Sequence, residues 1–116
     1  MKIKAYTPDD YIELVGNALS RVLGDDCLII FFGSVVNGNF TRASDIDVAV
    51  FCGRELTGRE MWEIEDAIEE LPILRKVDVV DLSLVKDREF LSQILKGRVW
   101  KGPKELLNAL RKLLTA

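Results

Sequence analysis

The sequence predicts an α+β fold, a mixed sheet of three to four strands with flanking helices. Three observations predict it. Short apolar, β-rich runs ("CLIIFF", "DIDVAVFC", "KVDVVDLS") are separated by longer segments with helical spacing. Those longer segments open on recognisable capping residues. The 116 residues, 48% of them hydrophobic, suit a single domain spanning 1–116 with one core.

Thr7-Pro8-Asp9-Asp10 combines a hydroxyl N-cap, proline at the first helical position and acids in the first turn. Ile12, Val15, Leu19 and Val22 then recur at the spacing of one buried helix face, and Gly24 marks the stop. "CLIIFF" (27–32) is apolar throughout, as expected of a strand covered on both faces, and "DIDVAVFC" (45–52) reads as its neighbour. The connection from Gly33 to Ser44 is rich in Gly, Asn, Thr and Ser and reads as an irregular loop or short helical turn. Thr57 and Glu60 form a capping-box pattern for a helix presenting Met61, Ile64, Ile68 and Leu71, ended by Pro72. "KVDVVDLS" (76–83) is the third strand, expected to be central. Asp87 caps a helix running to about Leu95 with Phe90, Leu91, Ile94 and Leu95 apolar. The last helix starts at Pro103 and carries five leucines, Leu106, Leu107, Leu110, Leu113 and Leu114. With Trp100 these leucines read as core, with an exposed apolar patch as the alternative.

Composition narrows the function. A net charge of −3 and a pI near 5.0 argue against bulk nucleic-acid binding, although Arg75, Lys76, Lys96, Arg98, Lys101 and Lys104 leave a local basic patch open. Cys27 and Cys52 form no CxxC pair, no histidine is present, and both cysteines lie in apolar runs, so buried inert thiols are expected and structural zinc is not. The N-terminal "MKIKAYTPDD" lacks a leader-type apolar core, and no run approaches membrane-spanning length. The expectation is a soluble cytoplasmic protein. Without histidine, acid–base chemistry near neutral pH falls to carboxylates, Lys, Tyr, Cys or metal-bound water.

Asp45 and Asp47, two residues apart, point the same way from one strand end, their Cα atoms ~7 Å apart. Paired carboxylates there need compensation, and Mg²⁺ offers it, since it takes carboxylate oxygens and keeps positions open for phosphates. Taken alone, such a pair more often caps a turn in water. Gly33 and Ser34, directly after a strand, offer close backbone approach and a hydroxyl suited to phosphate. Asp78, flanked by Val77, Val79 and Val80, is poorly placed in an apolar strand unless paired, protonated or metal-bound. Asp81 lies in the opposite phase and is expected to serve the strand end near Ser83.

Gly33-Ser34, ten residues, Asp45-x-Asp47 and the later Asp78 together resemble the signature of the polymerase-β-type nucleotidyltransferase superfamily. "SDIDVAV", "KVDVVDL" and "ILKGRVWKG" resemble its minimal nucleotidyltransferase branch. The resemblance implies that Asp45, Asp47 and Asp78 hold two Mg²⁺ ions, with Asp78 also accepting the proton of an attacking hydroxyl. It implies that Gly33 and Ser34 hold the β- and γ-phosphates of a nucleoside triphosphate. It further implies transfer of AMP from ATP to a hydroxyl of a partner, a HEPN-domain toxin for which the chain is the antitoxin. Contact-only neutralisation and transfer to a small-molecule hydroxyl are the alternatives, and a homo-oligomer stays open. One departure is visible: many relatives carry arginine just after the Gly-Ser pair, where this chain has Val35 and Val36, leaving Arg42 as the nearest candidate cation.

Overall fold

The computed structural model describes residues 6–115, so the leader-free reading of the first five residues lies outside it. Helix α1 (Pro8–Leu23) begins as its sequence predicts. The Thr7 hydroxyl accepts from the Asp10 amide at 3.2 Å, and the Asp10 carboxylate accepts from the Thr7 amide at 2.8 Å. Ile12, Val15 and Leu19 are buried beneath it. Strand β1 (Leu28–Phe32) is buried along its whole length, each large apolar side chain contributing roughly 1.5–3 kcal/mol by leaving water.

The 33–44 connection contains a four-residue helix, α2 (Ser34–Asn37). Strand β2 (Ile46–Phe51) and helix α3 (Gly58–Glu69) follow, the latter with the full Thr57–Glu60 capping box. Strand β3 (Val77–Asp81) passes through a 3-10 turn (Leu82–Leu84) to α4 (Arg88–Leu95), capped by Asp87. Strand β4 (Arg98–Lys101) and α5 (Lys104–Thr115) complete the order. The sheet order is β3-β2-β1-β4, with β1 antiparallel to β2 and β4, and β2 parallel to β3.

Alternation along the strands makes two cores. Ile29, Phe31, Ile46, Val48 and Val50 pack with α1 and α3 on one face. Leu28, Ile30, Phe32 and Ala49 pack with α4 and α5 on the other. Trp100 lies over Gly16, edge-on to Phe31, and its indole N–H donates to the Ser20 hydroxyl at 3.3 Å, so it belongs to the core. Of the α5 leucines, Leu110 is buried and Leu113 is the exposed one. Among the described residues no helix is long and apolar enough to cross a membrane.

Two expectations need correction. Strand β3 is at the sheet edge and half-exposed along its length, because its outer side has no neighbouring strand. Cys27 and Cys52 are joined as a disulfide instead of standing as inert thiols. The antiparallel register pairs Leu28 with Phe51, so the next residues out face each other, with Cα atoms 4.3 Å apart. Of the second-half cations, Lys76, Arg98 and Lys101 pair with Asp78, Asp9 and Asp25.

Candidate active site

The sheet register brings the predicted carboxylates together at one end of the strands. Asp47, near the start of β2, stands opposite Phe32 on β1 and opposite Asp78 on β3. Partners in adjacent strands share a face, so Asp47 and Asp78 lie on the side of Phe32, Ala49 and Val80. Asp45, two residues earlier, is exposed just before the strand and close enough for its charge to act on Asp47. Ile46, between them, is buried on the opposite face and anchors this end by donating its amide to the Lys76 carbonyl at 3.0 Å.

Gly33 lies against this group. Its φ of +75° disfavours other residues, and a Cβ added there would lie 2.6 Å from Asp47 Oδ2. The sequence therefore turns at glycine because the backbone passes beside the carboxylate. Burial pushes the Asp47 carboxyl above its ordinary 3.8, and the charges of Asp78 and Asp45 push it further. No ion pair or hydrogen bond reaches the Asp47 carboxylate among the described residues, while the Asp78 carboxylate meets only the exposed Lys76, 3.4 Å from Oδ1.

Three neighbouring carboxylates make a donor set of hard oxygens, the chemistry that suits Mg²⁺. They do not close into a three-ligand metal cage among the described residues. That openness fits an ion that takes one or two carboxylates and fills its other positions with water and phosphate oxygens.

Ser34 is the first residue of α2 and half-buried, and Gly33 caps that helix without a side-chain hydrogen bond. The Gly33 carbonyl accepts from the Val36 and Asn37 amides, which leaves the Ser34 and Val35 amides without a backbone acceptor among the described residues. Val35 itself is 4% exposed and packed into the α1 face, so this position turns inward. Arg42 is exposed, and its side chain makes no ion pair or hydrogen bond among the described residues. Asp81, as expected from its phase, works elsewhere: it accepts from the Leu56 amide at 2.8 Å and the Ser83 amide at 3.0 Å.

The residue that sequence reasoning missed is Arg75. One guanidinium nitrogen donates to the Thr41 carbonyl at 2.6 Å and the Ser44 carbonyl at 2.8 Å. Its guanidinium carbon lies 4.0 Å from the Phe40 ring centre and 5.0 Å from that of Tyr11. A basic pair before a strand reads as a solvated flank, and no local pattern announces partners more than thirty residues away. Beside it a cavity of about 650 Å³ runs between α3 and β3, past Ile73 and Val77 to Asp78.

Residues 26–102 match the family described as "Polymerase beta, Nucleotidyltransferase". This is more than half of the chain, and the chain belongs to that family. The five helices and four-stranded mixed sheet are its polymerase-β-like nucleotidyltransferase fold. Among solved structures, the chain is similar to a mutant of the toxin–antitoxin MntA–HpeT, at 22% identity over 95% of this chain and 85% of the other, with a TM-score of 0.64. A toxin–antitoxin with AMP-PNP is similar at 22% identity over 95% and 88%, TM-score 0.61. So is the complex of a tri-AMPylated Shewanella oneidensis HEPN toxin with an MNT antitoxin, at 21% identity over 93% and 83%, TM-score 0.55. At these identities the likeness is one of fold. No curated protein matches the sequence.

Proposed function

We propose that this protein is a Mg²⁺-dependent nucleotidyltransferase that moves AMP from ATP onto a hydroxyl of a HEPN-type toxin, and is that toxin's antitoxin. The observation that carries the reading is the pairing of Asp47 with Asp78 in one register position, with Gly33 against Asp47 and Asp45 close by. Similar folds in a complex with AMP-PNP and in a complex holding a tri-AMPylated toxin support the choice of nucleotide and acceptor.

Asp45, Asp47 and Asp78 hold the metal, two ions in the two-metal scheme. Bound there, magnesium supplies charge stabilisation for the entering and leaving oxygens of an in-line displacement. Gly33 lets the chain approach the phosphates, and Ser34 and the free amides at the start of α2 donate to them. The acceptor hydroxyl attacks the α-phosphorus, the bond to the bridging oxygen breaks, and pyrophosphate leaves. Asp78 takes the hydroxyl proton. No histidine is required, in keeping with a chain that has none.

Contact-only neutralisation of the toxin is the second reading, and Val35 favours it. Its side chain is buried where related sequences place a cation, so the triphosphate has one fewer positive group to meet. Asp45→Asn separates the two. Under the proposal the variant still binds the toxin but no longer neutralises it; neutralisation that survives the substitution refutes transfer as the mechanism.

A further inference from the structure

The three carboxylates come from two segments that share no helix or turn: 41–47 delivers Asp45 and Asp47, and 73–78 delivers Asp78. The parallel ladder fixes Asp47 against Asp78, but Asp45 precedes the strand, and a small set of contacts holds its loop to the 73–78 segment. The Ile46 amide reaches the Lys76 carbonyl, and Arg75 reaches the carbonyls of Thr41 and Ser44. The loop is otherwise tied mainly to itself, through the Ser44 hydroxyl, the Thr41 amide and the Thr41 hydroxyl.

We propose that Arg75 is a positioning residue for the carboxylate site, holding Asp45 against the ladder-paired Asp47 and Asp78 by clamping the loop that carries it. The inference rests on the carboxylates serving as the cation site of the proposed transferase. Two carbonyl acceptors and two aromatic faces use the planar, multi-donor guanidinium in a way an ammonium cannot reproduce. Tyr11 on α1 and Phe40 next to the loop provide the platform, so the clamp is referenced to the core. The Arg75 side chain makes no hydrogen bond or ion pair with the carboxylates among the described residues, and it therefore acts through the loop. A positional error of about 1 Å at a catalytic group is enough to cost on the order of 10²-fold in rate.

The test uses the full chain, with Mn²⁺ alone as the binding probe read by electron paramagnetic resonance, beside AMP transfer and thermal unfolding. For Arg75→Ala the expectation is a loss of about tenfold or more in Mn²⁺ affinity and in kcat, with a much smaller change in KM for ATP. Arg75→Lys should recover little of either, and millimolar guanidinium should restore part of both to Arg75→Ala. Should Arg75→Ala fail to fold, the pair Phe40→Leu and Tyr11→Leu removes the platform and should weaken Mn²⁺ binding in the same direction. A wild-type chain that transfers no AMP, yet binds Mn²⁺ more tightly than Arg75→Ala, leaves the positioning role standing while the transferase reading fails. Mn²⁺ affinity within twofold of wild type in the folded substituted chains overturns the proposal, as does a wild-type chain that binds no Mn²⁺.

Discussion

Asp47 and Asp78 occupy the same position in the parallel β2–β3 ladder, so two carboxylates face each other across one strand spacing at the open end of the sheet. Asp47 is not there for stability. The Asp47 carboxyl is pushed up by burial and by its acidic neighbours, so its ionisation opposes folding. For an acid raised in this way, the folded state is favoured at low pH and loses that advantage as pH rises through the folded value.

Asp47→Asn should therefore raise the melting temperature at pH 7 without divalent cations, and the gain should disappear near pH 3, where both forms are neutral. Mg²⁺ should stabilise the wild type and not the variant. Transfer by the variant should fall on the order of 10²-fold or more. Thermal melts at the two pH values, with and without Mg²⁺, check the stability half; a destabilised variant at pH 7 contradicts it.

Gly33→Ala puts a methyl group into a left-handed turn and against Asp47 Oδ2. The expected destabilisation is about 1–2 kcal/mol from the backbone alone. Displacement of the carboxylate should add a loss of Mn²⁺ affinity. Denaturant titration and metal binding measure the two effects separately, and unchanged values for both would show that the backbone does not lie where the structure places it.

The Cys27–Cys52 disulfide joins positions 25 apart and closes a loop that contains Gly33, Ser34, Asp45 and Asp47. Loop-closure entropy gives about 3.5 kcal/mol for a loop of that size. Reduction, or the Cys27→Ala/Cys52→Ala pair, should shift the urea midpoint downward by an amount consistent with a few kcal/mol. Identical unfolding curves with and without reductant would mean that the two sulfurs are not bonded in the folded protein.

Glu60 is held at about 2 by its hydrogen bonds with Arg54 and by the capping box with Thr57. A depressed acid contributes stability above its ordinary 4.5 and loses it as pH falls toward 2. Glu60→Gln should cost about 1 kcal/mol at pH 7, given the solvent screening of its exposed partner. The wild-type advantage should vanish by pH 2, which melts across that range would show.

Much of this was legible beforehand, for physical reasons that differ by element. Helix starts at Thr7, Thr57 and Asp87 were readable because caps act within three residues of the end they satisfy. The strand period set Asp81 apart from Asp78. Strand β4 was not located because "RVWK" is four residues long, bears charge at both ends and lies at an edge where Val99 is 43% exposed. The edge position of β3 was hidden for the converse reason: "VDVVD" is apolar enough for a central strand, yet its outer side meets only solvent and α3 side chains. The disulfide depends on β1–β2 register and Arg75 on contacts across the sheet end, and no local pattern encodes either.

The central claim is AMP transfer through the Asp47–Asp78 site, and its most direct measurement is label transfer from α-³²P-ATP. The purified chain, Mg²⁺ and a HEPN-type toxin as candidate partner are incubated together and the proteins separated. The prediction is label on the partner with the wild type and none with Asp47→Asn. An unlabelled partner that is nonetheless bound and neutralised by the wild-type chain would contradict the claim and leave neutralisation by contact as the function.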